Sequence, residues 1–277
     1  MTNTSQRIIS ALAMAILVIG SMALGKIPTL ILCLIVGVLC IDELLINFTG
    51  LIRQNFLYRY IIFFFVLLFL LINIFLNAKL SRGFFTMTSL MVNIFLMYYL
   101  FKIPLQNEFM KKSTLKNPGI LSSVVILPLL SFGIHFETEH WRQVLIMLLL
   151  VTFSMDTGAW FVGKNFGKHK LWPEVSPKKT IEGFIGGIVI SALLGSFCWY
   201  YFFHDFQWYY SVIFAACGAT SQVGDLVQSK IKREFGIKDS SNLIPGHGGI
   251  YDRIDSLIFL SPFFVIVVKY LGRQIPL

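Results

Sequence analysis

Charge is scarce in this chain. Of its 277 residues only 13% are Asp, Glu, Lys or Arg, about half of the roughly 25% found in soluble domains. A water-soluble chain of this length needs a charged surface around its one or two cores, so the scarcity argues against an ordinary soluble enzyme. Cysteine motifs are missing as well. Cys33, Cys40, Cys198 and Cys217 all lie in or beside apolar segments, with no CxxC and no Cys/His metal spacing, and read as small reduced hydrophobes. No repeat of 20 to 50 residues, low-complexity tract or soluble insertion interrupts the pattern. Residues 1–277 therefore read as a single integral membrane domain, with amino-terminal helices over 1–135 and a region over about 143–271 that carries the polar motifs.

What is abundant is apolar. Hydrophobic residues make up 56% of the chain, and 27 of them are phenylalanine; a bilayer tolerates apolar residues all around a helix. A spanning helix needs about 20 mostly apolar residues. Nine candidate segments follow: 8–25, 27–46, 58–77, 84–101, 119–135, 143–162, 183–203, 207–224 and 254–271. The expected fold class is all-α, a polytopic membrane protein of about nine transmembrane helices. The first run follows Arg7 and contains Ser21-Met22-Ala23, as a cleaved signal would. Its length and the second run just after Gly25 and Lys26 favour a helical hairpin instead.

The net charge of +9 raises nucleic acid as a partner, but the position of the cations decides the matter. On alternating sides of nine helices, Lys26, Lys79, Arg82, Arg142, Lys269 and Arg273 fall on one side, and all the other Lys and Arg on the opposite one. The cation-rich side is cytoplasmic by the positive-inside rule. The amino terminus is predicted inside and the carboxyl terminus outside, with the polar loops 163–182 and 225–253 facing the cytoplasm. The lipid bilayer, not nucleic acid, is the expected surroundings, and Lys111, Lys112 and Lys116 are expected to meet anionic headgroups.

The richest stretch is GDLVQSKIKREFGIKDSSNLIPGHGGIYDRIDS, from Gly224 to Ser256. If the eighth helix continues past Gly224, then Ser221, Asp225, Ser229 and Lys232 share one face, and Asp252, Asp255 and Ser256 recur the same way on the ninth. Carboxylate and hydroxyl oxygens are hard ligands that suit Mg²⁺ held together with substrate phosphates. Lys230, Lys232, Arg233, Lys238 and Arg253 are the cations that phosphates seek. Metal plus basic cluster points to phosphoryl chemistry, in which positioning and charge neutralisation do most of the catalysis. Between them, Gly246, Gly248 and Gly249 around His247 permit positive φ and close approach of backbone amides to an anion.

A second insertion starts inside segment six. Ser154 and Asp156 follow LLLVTF, and an ionisable group near the bilayer, at about 2.5 to 3.5 kcal/mol on insertion scales, is a functional-site hypothesis. Downstream, Ser176, Lys178, Lys179 and Thr180 precede a helix starting near Glu182. They read as phosphate ligands at a helix N-terminus, and Thr180 equally as an N-cap. Asp42, Glu43, Asn73 and Asn77 read as interhelical hydrogen-bonding groups outside the site.

These residues carry a resemblance. Ser229-x-Ile231-Lys232-Arg233, Lys238-Asp239 and the run from Ile244 to Asp255, with DTGAWFVGKNFGKHKL from Asp156 and SPKKTIEG from Ser176, are similar to the signature of the phosphatidate cytidylyltransferases, or CDP-diacylglycerol synthases. The resemblance implies attack of the phosphatidic acid phosphate on the α-phosphorus of CTP, giving CDP-diacylglycerol and pyrophosphate. It also implies Mg²⁺ with K⁺ as a further cation, a membrane-embedded homodimer, and Asp225 and Asp252 as metal ligands. Catalytic roles are expected for Asp225, Asp252, Lys232, Arg233, Lys238 and Asp239. Substrate binding is expected of Ser154, Asp156, Lys178, Lys179, Thr180, Ser229, His247, Gly248, Gly249, Arg253 and Asp255. Ile181 stands where Trp is common, and Gln228 where Glu is common. The expected location is the inner (cytoplasmic) membrane with the site facing the cytoplasm. Two other readings stay open at this point: a related CTP-dependent enzyme, either a cytidylyltransferase for an ether or isoprenoid lipid phosphate or a polyprenol kinase, and a transporter.

Overall fold

The computed structural model describes residues 3–76, 78–246 and 248–272, with side chains from residue 6 onward; Asn77, His247 and Arg273 lie outside the described residues. Among these there are ten α-helices and a single two-stranded hairpin, so the all-α expectation holds. Eight helices are long and apolar enough to cross a membrane. The remaining expected segment, 207–224, is helical within Trp208–Glu234, but Trp208 to Tyr210 at one end and Gln222 and Asp225 at the other lower its hydropathy. Large apolar side chains such as Ile16, Leu24 and Phe63 face outward, which in water would make an aggregating surface and in a bilayer meets lipid. The protein is a multi-pass membrane protein.

The described chain divides into two compact units: Met1–Asn93, Ile103–Phe136 and Ile231–Ile254 form one, and Ile94–Lys102, Glu137–Lys230 and Asp255–Leu277 the other. The first unit is organised around α2 (Lys26–Asn47), which packs on α1 (Asn3–Leu24), α3 (Phe56–Leu70) and α6 (Gly119–Ser131). Gly25 separates α1 from α2 at φ 126°, a conformation costly for any side chain, and so makes the hairpin expected of the first two segments. On α2, a Cβ at Gly37 would sit 2.6 Å from Leu129 and 2.7 Å from Phe65; the glycine lets three helices meet. Cys40, Ile41, Leu44, Leu45, Phe65, Phe69 and Val125 fill this core. Asn55 caps α3 by accepting from Leu57 N at 2.8 Å. The end of α3 widens into a π-helical turn, Leu71–Phe75, from which Asn73 Nδ2 donates to the Leu130 carbonyl at 3.2 Å, the interhelical role expected of it. The unit also holds most of α4 (Lys79–Lys102) and all of α5 (Phe109–Lys116).

The second unit is built on α7 (Trp141–Phe166) and α8 (Ile181–Phe203). Their contact is a glycine seam. A Cβ at Gly183 would lie 2.6 Å from the Ala159 carbonyl and 3.1 Å from Gly163 Cα, and one at Gly158 would lie 3.2 Å from Gly187 Cα. Close backbone approach through small residues is how helices associate where no hydrophobic drive exists. Between them, β1 (Lys170–Trp172) and β2 (Ser176–Thr180) form an antiparallel hairpin with Lys170 opposite Thr180 and Trp172 opposite Ser176. Most of α9 (Trp208–Glu234) and of α10 (Tyr251–Leu271) completes the unit. Gly224 is the close contact there, with a Cβ meeting Phe259 at 2.5 Å.

Candidate active site

In the second unit, the stretch from Ser176 to Glu182 is held from both sides. Thr180 Oγ1 accepts from Gly183 N at 3.1 Å and caps α8. Glu182, in the first turn, accepts from Lys168 N at 3.0 Å and His169 N at 3.2 Å, and pairs with His169 Nδ1 at 2.6 Å. A carboxylate in the first turn also favours the positive end of the helix dipole. Pinned in this way, β2 presents Lys178 to solvent and carries Lys179 to Asp225, Nζ to Oδ2 2.5 Å. Asp225 Oδ1 accepts from Ser229 Oγ at 3.2 Å, and Gln222 Nε2 lies 3.5 Å from Oδ2.

Three residues of this α9 face, Ser221, Asp225 and Gln228, are spaced four and three apart and point the same way. The Ser221 hydroxyl and the Gln228 carbonyl oxygen are buried without a hydrogen-bond partner among the described residues. Orphaned buried oxygens cost about 1 to 3 kcal/mol each. Together with a carboxylate they are the donor set of a hard cation, so the residues fit Mg²⁺ or K⁺. Among the described residues no three His, Cys, Asp or Glu side chains gather as a complete metal site. Farther along α7, Asp156 is exposed, while Ser154 is buried and donates to the Val151 carbonyl at 3.1 Å.

The first unit contains the glycine-rich loop. Asp252 is its inner fastening: Oδ2 accepts from Ser240 N at 2.8 Å, Ser240 Oγ at 3.1 Å and Gly249 N at 3.0 Å, and Oδ1 takes Lys232 Nζ at 2.7 Å. Its side chain is 5% exposed and that of Lys232 10%. Oδ2 is thereby filled, and Oδ1 is engaged by the Lys232 ammonium. Gly248, at φ 83°, uses conformational space closed to most side chains and accepts from Ile244 N at 2.8 Å.

Beside the loop is a cavity of about 400 Å³ lined by Arg7, Lys238, Asp239, Asn242, Ile244, Gly246, Gly248 and Arg253. That is within the roughly 300 to 1,000 Å³ of small-molecule sites. Three of the lining side chains are cationic. Arg7, whose Nε donates to the Gly246 carbonyl at 2.9 Å, was not expected at the site; its only sequence signal is a lone cation just before the first apolar run.

The structure thus divides the expected residues. Lys238, Asp239, Gly248 and Arg253 share the cavity, and Gly249 lies at the Asp252 fastening. Lys232 pairs with Asp252, and Arg233 NH1 donates to the Ile237 carbonyl at 3.2 Å. Lys179, Ser229 and Asp225 form the other cluster; Asp255 is buried and accepts from Ser256 N at 2.7 Å. Lys230, grouped with the phosphate-seeking cations by sequence, is 2% exposed. It donates to the carbonyls of Tyr99 and Leu100 at 2.7 and 2.9 Å, near the carboxyl end of α4, and lies 4.4 Å from the Tyr99 ring. A cation there satisfies terminal helix carbonyls.

An all-helical membrane protein with a basic cavity under a glycine loop and lysine-paired aspartates defines a class, the membrane-embedded proteins built to handle phosphate groups. The chain belongs to the cytidylyltransferase family, whose sequence model matches residues 5–271. It is 31% identical to the phosphatidate cytidylyltransferase of Bacillus subtilis (strain 168) over 285 residues, 97% of this chain and 98% of that protein. It is 43% identical to the phosphatidate cytidylyltransferase of Staphylococcus haemolyticus over 141 residues, half of each chain. With that of Staphylococcus aureus (strain COL) the identity is 42% over 143 residues, 50% of this chain and 54% of the other.

Proposed function

We propose that this chain transfers the cytidylyl group of CTP to phosphatidic acid, releasing pyrophosphate and forming CDP-diacylglycerol for phospholipid biosynthesis. The observation that carries the reading is the match, along 97% of the chain, to a relative of that name; the basic cavity at the glycine loop supplies the matching chemistry. A lipid phosphate oxygen forms the new bond to the α-phosphorus of CTP while the bond to the β-phosphate oxygen breaks. That oxygen is already anionic, so no Ser or Cys nucleophile is required. The obstacle is repulsion between two anions, about 4 kcal/mol per pair of unit charges at 4 Å and an effective dielectric near 20. Arg7, Lys238 and Arg253 offset it from the cavity wall, and Lys178 and Lys179 are the cations that the other cluster offers.

Asp225 and Asp252 are the residues we assign to Mg²⁺ binding, with K⁺ as a further cation; support comes from the hard-oxygen face of α9 around Asp225. Bound there, Mg²⁺ supplies charge neutralisation at the phosphate oxygens. The cation-rich loops favour an active site on the cytoplasmic face of the inner membrane, and the family resemblance favours a homodimer. The test is purified protein with radiolabelled CTP, phosphatidic acid and Mg²⁺. CDP-lipid and pyrophosphate are expected, and Asp225→Asn, whose pair with Lys179 is still in contact with water, is expected to abolish both while the protein still elutes as wild type. Wild-type protein inactive with every phospholipid acceptor sinks the reading, and release of CDP in place of pyrophosphate identifies a kinase.

A further inference from the structure

We propose that Glu43, on α2 and remote in sequence from every residue of the glycine loop, is a positioning residue that holds that loop closed for catalysis. Glu43 is 3% exposed and its two oxygens take four donors. Oε1 accepts from Ser241 Oγ at 2.7 Å and Ile250 N at 2.9 Å; Oε2 accepts from Ser240 Oγ at 2.9 Å and Tyr251 N at 3.0 Å. These donors come in two pairs, 240–241 and 250–251, which are the two stems of the loop. One carboxylate therefore ties both stems together and to α2.

Two further observations fit this role. Position 249 has no room for a side chain: a Cβ there would overlap the Ser240 hydroxyl and lie 2.5 Å from Glu43 Oε2. Tyr251 opens α10, so the carboxylate also satisfies amides at a helix start that would otherwise lack acceptors. Asn47, one turn further along α2, adds a bond from Nδ2 to the Ser240 carbonyl at 2.8 Å. Between the stems lie Gly246 and Gly248, and just outside them Lys238, Asp239 and Arg253, all of which line the cavity. Four fixed hydrogen bonds at the stems restrict where those groups sit, and small misplacements of catalytic groups carry large rate costs.

This inference rests on the cytidylyltransferase reading for its catalytic arm, so the experiment also reads the loop directly. Glu43→Gln keeps the shape and places an amide NH₂ toward two of the four donors. Deuterium exchange of the 238–253 peptide and kcat/KM for CTP per folded protein are measured together, with Asp42→Asn as the neighbouring control, since among the described residues Asp42 accepts from Arg53 and Tyr58 and not from the loop. Expected for Glu43→Gln are exchange at least fivefold faster in that peptide alone and kcat/KM at least tenfold lower, with Asp42→Asn within twofold of wild type on both. Exchange unchanged within twofold, or faster exchange with unchanged kcat/KM, overturns the proposal. Activity lost only in proportion to unfolded protein also overturns it. If Glu43→Gln does not accumulate, the Ser240→Ala, Ser241→Ala double variant carries the same measurements. If wild-type protein turns over no CTP, the functional reading fails, and the exchange arm still decides whether Glu43 orders the loop.

Discussion

The two lysine–aspartate pairs look alike in sequence and differ in surroundings. Lys179 and Asp225 are 21% and 27% exposed, whereas Lys232 and Asp252 are 10% and 5% exposed. A pair still in contact with water contributes little, about 0 to 1 kcal/mol. Removing one member of a buried pair strands the other, at about 3 kcal/mol or more. Lys179→Met is therefore expected to leave the thermal midpoint in detergent near wild type, and Lys232→Met to lower it clearly, as followed by loss of monodisperse protein on heating. Spacing along a helix brought Asp225, Ser229 and Asp252 to notice, because helical faces are periodic, and the glycines stood out as a cluster in the loop between them. It gave no warning of Glu43 or Arg7. Their partners lie some 200 residues away, beyond any local pattern, and Glu43 read as an interhelical group because an apolar helix surrounds it.

Among the elements, long apolar runs announced the helices and their breaks: Gly25 marks the first hairpin, and Thr180 caps α8 as its position suggested. The β1–β2 hairpin was hidden. Its strands are three and five residues long, and Ser176-Pro177-Lys178-Lys179-Thr180 has little of the β-branched or aromatic content of a strand. Tertiary anchoring through Glu182 makes it, and that is absent from local sequence. The α7–α8 seam is equally dependent on what is missing. Gly183→Ala is expected to destabilise the protein by about 1 to 3 kcal/mol, because its Cβ meets the Ala159 backbone, which cannot rotate away. The same melting assay checks it, with Gly20→Ala, which meets nothing within 4 Å, as the control. The helix α9 has 27 residues, about 40 Å at 1.5 Å per residue and enough to cross a bilayer. Single cysteines at Gln207 and Gly236 are expected to react with an impermeant maleimide from opposite sides of the membrane.

For the molecule as a whole, class comes from a bulk property that survives without coordinates, too few charges for water, and the cations gathered on alternate loops carry the expectation of sidedness. The positive-inside count predicts that trypsin reaches Lys178 and Lys238 in inside-out vesicles and spares them in intact cells, as peptide mapping will show. Cleavage from outside would reverse the orientation. What bulk properties cannot convey is dependence between distant segments, and Lys230 shows why it matters. A buried ammonium without acceptors is costly, and α9 also carries Lys232 and Glu234 beside Lys230. The ammonium of Lys230 finds its acceptors on α4 carbonyls some 130 residues earlier in the chain. A chain made without α4 leaves this ammonium without those acceptors, and it is expected to be degraded faster than wild type in a pulse-chase experiment.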